Sequence, residues 1–262
     1  MNEVNKTLFI PLYGKSFVSK KHIILNDPTA EKIWEREGFP IKGKSKSKWL
    51  AYNMAMRARV FDDWVEQMLQ QNENATVLHI GCGLDSRCKR IRHPYERWYD
   101  CDFPEVIATR KKYYSESDNY HMVDLDASQP EQLKSLPDHD SAIVVLEGIS
   151  MYLSHNQLQA FLQALKEKYS HLHFMMDVYT VFGAKASKYK NPVNDVGVTK
   201  LHGIDDINAL LAPLKIKLKK EHSFTPSALV QELKPSERFF FKVLFSGALY
   251  RKFYRLFEFE CL

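Results

Sequence analysis

Five short apolar runs punctuate the middle of the chain, at Val77–Gly81, Trp98–Cys101, Tyr120–Val123, Ala142–Leu146 and His173–Val178. Their length and continuity predict buried strands, because a strand covered on both faces needs no polar alternation. Between them the spacing lengthens to that of helices. "FPEVIATRKKYY" begins with Pro104 near a first helical turn, where its missing N–H costs nothing. "SHNQLQAFLQALKEKY" places Ser154 as N-cap and Leu158, Phe161, Leu162 and Leu165 on one apolar stripe. Strand and helix alternate at least four times. The pattern predicts an α/β fold, a Rossmann-like and mostly parallel sheet with helices on both faces.

The flanks read differently. "WLAYNMAMRARVFDDWVEQMLQQ" is a long amphipathic helix led by an irregular basic arm, so residues 1–72 are taken as arm and helical cap. Residues 73–262 are then one compact domain. After Val178 the pattern loosens into "YTVFGAKASKYKNPVNDVGVTKLHG", which predicts a lid inserted at about 179–202. The end of the chain holds "LKIKLKKEHSF", a helix-like "SERFFFKVLFSGALY", and "YRLFEFECL", whose alternation suits an antiparallel edge strand.

With 262 residues, 45% hydrophobic and 26% charged, the chain can bury one substantial core. No apolar run reaches the roughly 18 residues of a spanning helix, and the first residues lack a signal-peptide pattern. A soluble, cytoplasmic protein is expected, without a membrane partner. Cys82, Cys88, Cys101 and Cys261 form no Cys-x-x-Cys pair, which argues against a metal site and for free thiols in a reducing compartment. The net charge of +5 equals the excess within residues 1–50, which hold ten basic and five acidic residues. "KGKSKSK" (Lys42 to Lys48) carries much of it, as a solvated loop or an entrance that draws in an anionic substrate. No recognition motif accompanies the lysines, so nucleic acid is not an expected partner.

The chemistry concentrates in "VLHIGCGLDSRCKR". Gly81-Cys82-Gly83 after a strand lets the backbone approach a ligand closely. A dinucleotide fingerprint wants a third glycine at position 86, where Ser86 stands. Asp102 lies nineteen residues beyond Gly83, past the second strand, where a carboxylate can accept from ribose hydroxyls. A nucleoside without phosphates fits these features, and S-adenosylmethionine is the candidate cofactor. Asp124 ends the third strand and Glu147 the fourth, at the carboxyl edge where open α/β sheets bind ligands. Taken singly, each acid also reads as a helix cap or a solvated turn.

In this order, "VLHIGCGLDSR", "YDCDFPEVIATRKK", "MVDLD" and "LEGISMYLSHNQLQAFLQAL" resemble the leucine carboxyl methyltransferase family, in particular its bacterial branch of polyketide O-methyltransferases of the tetracenomycin type. The resemblance covers about residues 7–180. It implies a class I methyltransferase fold and an S-adenosylmethionine-dependent O-methyltransferase of a small-molecule carboxylate or hydroxyl. The alternatives are a protein C-terminal carboxyl methyltransferase and a non-catalytic cofactor-binding protein. It implies further that Gly81, Cys82 and Gly83 pass under the methionine part of the cofactor. Asp102, beside Phe103, would hold the ribose. Asp124 and Leu125 would flank the adenine, and Glu147 with Gly148 would line the methionine end. Arg59, with Lys15, would pair with the cofactor carboxylate. No residue is an unambiguous catalytic base; Tyr152 and His155 are the candidates. Lys185, Lys188 and Lys190 in the lid are candidates for holding an anionic acceptor.

Overall fold

The computed structural model describes residues 8–37, 46–72, 74–190 and 201–261, with the side chains of 188–190 excepted. Seven strands form one sheet: β1 (Thr76–Ile80), β2 (Arg97–Asp102), β3 (Tyr120–Asp124), β4 (Ser141–Leu146), β5 (His171–Tyr179), β6 (Lys217–His222) and β7 (Tyr254–Cys261). Their order is β3-β2-β1-β4-β5-β7-β6. The first five run parallel, and β7 pairs antiparallel with both β5 and β6. Every residue of β1 is buried, as its uninterrupted Thr-Val-Leu-His-Ile run requires of a central strand.

The two C-terminal strands correct the expectation of an edge strand at the end of the chain. β7 is antiparallel but interior, and β6 takes the edge. The side chains explain the placement. In β7, Leu256, Phe257 and Phe259 are nearly inaccessible, whereas "KLKKEH" of β6 stays largely in solvent. Lysines on an edge strand discourage pairing with another chain.

Helices cover both faces. The N-terminal cap consists of α1 (Phe9–Ser19), α2 (Pro28–Glu37) and α3 (Lys48–Gln71). The short α4 (Arg87–Arg90) follows β1, and α5 (Pro104–Arg110) follows β2 with proline in its first turn. α6 (His155–Lys168) starts from a complete capping box: Ser154 accepts from the Gln157 amide while the Gln157 side chain accepts from the Ser154 amide. It buries Leu158, Phe161, Leu162 and Leu165, the stripe read from the sequence. α7 (Val181–Lys190) and α8 (Ile207–Leu211) follow β5; the expected lid includes α7, and its residues 191–200 lie outside the described residues. Between β6 and β7 come α9 (Ser227–Gln231), α10 (Pro235–Leu244) and α11 (Gly247–Arg251). Strand order reverses between β1 and β4, the switch point at which open α/β sheets leave a crevice.

Candidate active site

A cavity of about 400 Å³ opens at that switch point. Its floor is the Gly81–Asp85 loop after β1, its walls are Asp102–Phe103 after β2, Leu125–Ser128 after β3 and Glu147–Ile149 after β4, and α1 and α3 roof it with Leu12, Lys15, Met54 and Arg57.

The floor is held rigidly. The amides of Gly81 and Cys82 both donate to the Cys101 carbonyl, at 2.8 and 3.1 Å. Arg110 donates to the Gly83 carbonyl at 3.0 Å and Tyr114 to the Leu84 carbonyl at 3.1 Å. Gly81 has φ +71°, and a Cβ there would lie 2.0 Å from Cγ2 of Ile149, so the turn admits only glycine.

Asp102 accepts from the Gly83 amide at 2.7 Å and from the Phe103 amide at 2.8 Å. These bonds aim both carboxylate oxygens along the loop. Burial pushes the carboxyl up to about 6, against the pull of the two amides and of Arg110. Each oxygen has taken one amide, and the lone pairs that remain on this desolvated carboxylate can take hydroxyls from a ligand.

Behind the loop lies a buried ion network. Glu147, 8% exposed, receives Arg57 Nε at 2.9 Å and Arg87 Nη2. Burial alone would raise this carboxyl, but Arg57 and Arg87, then Lys15, outweigh it and hold Glu147 ionised. Arg57 Nη1 also reaches Asp177 at 3.0 Å and the Tyr254 hydroxyl at 2.9 Å, and the guanidinium lies against Gly148. Lys15 Nζ pairs with Asp85 at 2.6 Å, both buried. Arg87 further donates to Asp62 at 2.7 Å and to Nε2 of His79 at 3.0 Å, which leaves the proton of a neutral His79 on Nδ1, 3.3 Å from Asp100. Burial and then Arg87 lower the His79 pKa, so the ring stays neutral.

Lys15, Gly81, Cys82, Gly83, Asp102, Phe103, Leu125, Glu147, Gly148 and Tyr152 therefore share one cavity. Four expected residues do not line it. Arg59 is turned outward, its side chain 41% exposed, and pairs with Asp63 at 2.7 Å and the Ile24 carbonyl at 3.2 Å. Positions two apart on a helix differ by about 200° in direction, so Arg57 faces the cavity in its stead. Asp124, the last residue of β3, is exposed, while Leu125 and Asp126, in the segment that leaves the strand, line the wall. His155 caps away from the cavity, with Nε2 3.0 Å from the Gly203 carbonyl. Lys185 is exposed on α7; the Lys188 and Lys190 side chains lie outside the described residues, as do Lys42 and Lys44. Arg57, Asp126 and Arg87 were not singled out from the sequence. Arg87 read as part of a basic helix turn, yet it is fully buried and clamps Glu147.

No described helix is long and apolar enough to cross a membrane, and among the described residues no three His, Cys, Asp or Glu side chains group as metal ligands. All four cysteines are buried and unpaired.

The chain is similar to several known proteins. It is 26% identical over 238 residues to the tetracenomycin polyketide synthesis O-methyltransferase TcmP of Streptomyces glaucescens, covering 90% of this chain and 88% of that one. It is 28% identical over 177 residues to the S-adenosyl-L-methionine-dependent methyltransferase dpfgK of Gibberella zeae, covering 61% and 59%. Among solved structures, magnesium protoporphyrin IX methyltransferase of Synechocystis with bound S-adenosylhomocysteine superposes with TM-score 0.51 at 11% identity, over 89% of this chain and 95% of that one. A Thermobifida fusca structure gives 0.57 at 12% identity, over 89% and 87%, and at such identities the likeness is one of fold. Residues 2–166 match the model of the leucine carboxyl methyltransferase family. The chain belongs to that family and is an S-adenosylmethionine-dependent methyltransferase.

Proposed function

We propose that the cavity binds S-adenosylmethionine across the switch point and that the protein methylates an oxygen of a small-molecule acceptor of polyketide type, a carboxylate in preference to a hydroxyl. The residues present suit that cofactor. Asp102 offers a desolvated carboxylate to a ribose diol, Gly83 leaves the backbone bare beneath the ligand, and Leu125 supplies an apolar wall for the adenine with Asp126 beside it. Arg57 and Lys15 provide cations for the amino-acid carboxylate, and Glu147 an anion for its ammonium. Bound there, the cofactor supplies an activated methyl group to a nucleophile held in line with it.

The observation that carries the reading is Asp102, at the end of β2, aimed by two backbone amides and raised to about 6 by burial. The preference for a carboxylate rests on the lining groups. Lys15, Arg57, His79, Asp85 and Glu147 are all committed to one another or to buried partners, so none is placed to take a proton from an acceptor hydroxyl. An ionised carboxylate needs no such base. The similarity to TcmP, a polyketide synthesis O-methyltransferase, supports a small-molecule acceptor of polyketide type. Calorimetric titration with S-adenosylmethionine and with NAD tests the cofactor. Methyl transfer from labelled cofactor to a panel of aromatic acids and phenols tests the acceptor. Binding of NAD without S-adenosylmethionine would overturn the assignment.

A further inference from the structure

Among the described residues, six large apolar side chains stand exposed: Phe182, Phe239, Phe240, Val243, Leu244 and Leu249. Five of them lie on α10 and α11. Helical spacing puts Phe239, Phe240, Val243 and Leu244 within about 140° of one another, opposite the inward face on which Phe241 is fully buried. Packing of α10 against the cap uses only that inner face, through Trp49 stacked on Phe245 at 5.5 Å and Tyr52 edge-on to Phe241 at 6.1 Å. A helix that sinks one side into the protein and turns a phenylalanine-rich side to solvent is unusual for an isolated soluble domain.

The charges around this face are mostly basic. From Lys234 to Lys252 there are five basic residues and one acid, Glu237, and Lys48 and the Tyr52 hydroxyl hold that acid at 2.8 and 2.7 Å on the inner side. Lys234, Lys242 and Lys252 are exposed. The same Lys48 contact brings the described end of the basic run, Lys46 and Lys48, alongside α10. A basic segment that the active site does not use thus adjoins the one exposed apolar helix face seen among the described residues.

We propose that α10 and α11 form a docking surface for an anionic lipid bilayer, lying in the interface with the phenylalanines among the acyl chains and the lysines at the headgroups. An apolar face flanked by lysines meets the chemistry of such a surface on both counts, burial and charge. A second copy of the chain would bring like charges together on burying the same face. The cavity is close to this surface: Leu50, next to Trp49, lines its wall. The docking surface itself does not depend on the methyltransferase reading.

The full chain should co-sediment with vesicles of phosphatidylcholine containing about a third phosphatidylserine, and far less with phosphatidylcholine alone. Binding should weaken at least tenfold between about 50 and 300 mM salt, as charge attraction is screened. Phe239→Ser with Phe240→Ser, both exposed and so harmless to the core, should lower vesicle affinity at least tenfold, and Lys242→Glu with Lys252→Glu should do the same. Circular dichroism and cofactor calorimetry check that each variant is folded. No binding to anionic vesicles at low salt overturns the proposal, as does equal binding by either variant. Dimerisation through the same phenylalanines in analytical ultracentrifugation, without vesicle binding, also overturns it.

Discussion

At the scale of single residues, two positions carry the site. The Asp102 carboxyl is raised to about 6 by burial, so its neutral form is favoured in the folded protein. The stability it contributes is fully present below the unfolded value near 4 and is lost as pH rises through about 6. At neutral pH the ligand-free fold carries the strain of this buried charge, and ribose hydroxyls would relieve it. Asp102→Asn should weaken cofactor binding by about 1.5–3 kcal/mol, the worth of hydrogen bonds to a charged acceptor. Its melting temperature relative to wild type should be higher at pH 7.5 than at pH 4.5. Loss of one amide acceptor is common to both conditions, so the difference isolates the ionisation. A difference of zero would refute the burial argument. Arg57 and Arg59 form the second test. Arg57→Ala leaves Glu147 and Asp177 buried without their shared cation, which costs about 3–5 kcal/mol and lowers the melting temperature by on the order of 10 °C. Arg57→Lys, which keeps the charge but not the three-way reach, should fold better and still bind cofactor at least about tenfold more weakly. Arg59→Ala removes an exposed pair and one bond to the Ile24 carbonyl and should change stability by about 1 kcal/mol or less, with cofactor affinity unaltered. Equal loss of affinity in both alanine variants would return Arg59 to the site.

At the scale of elements, the same pair shows why some of the site was legible in the sequence and some was not. The spacing from Gly83 to Asp102 is set by a strand, a turn and a helix of ordinary length, so Asp102 could be found by counting. The "ARARVFDDW" stretch fixes a helix but not its rotation about its own axis, and rotation decides which arginine faces the cavity. Asp124 closes β3 whereas Asp126 lies in the turn beyond it, and the sequence does not mark where the strand gives way to the turn. The five parallel strands were legible because each is a buried apolar run between helices. β6 was not, because an edge strand covered by lysines carries no apolar signature, and without it β7 reads as the edge. The glycine loop was legible as a loop, and its geometry yields a comparison. Gly81 and Gly247 both have positive φ, +71° and +62°. A Cβ on Gly247 meets nothing within 4 Å, so Gly247→Ala should cost only the left-handed strain of about 1–2 kcal/mol. A Cβ on Gly81 runs into Ile149, so Gly81→Ala should cost more and disturb the floor, with calorimetry showing cofactor affinity reduced at least tenfold. If thermal melts of the two variants match and Gly81→Ala binds cofactor normally, the close approach of Ile149 to the loop is not a constraint.

At the scale of the whole molecule, the question is how the cavity meets its acceptor, and pH resolves it. The sheet delivers Asp102, Glu147 and the glycine loop to one crevice, yet Lys15, Arg57, His79 and Asp85 around them are held by buried partners, and His155 lies outside the cavity. A carboxylate acceptor of pKa near 4 is ionised throughout the neutral range. With cofactor saturating and the pH kept at 7 or above, clear of the Asp102 transition near 6, kcat/KM for the acceptor should vary less than about twofold up to pH 9. His155→Ala should trace the same curve, since its ring bonds the Gly203 carbonyl and does not line the cavity. A phenol of pKa near 10 is mostly protonated in this window, and without a positioned base its rate would climb nearly tenfold per pH unit. With such a base, the rate would level off and mutation of that base would cost about 100-fold or more. A slope near one, or a collapse on changing Tyr152 to Phe, would therefore assign the methyl group to a hydroxyl oxygen. A flat profile shared by wild type, His155→Ala and Tyr152→Phe would assign it to a carboxylate, as the committed state of the lining charges leads one to expect.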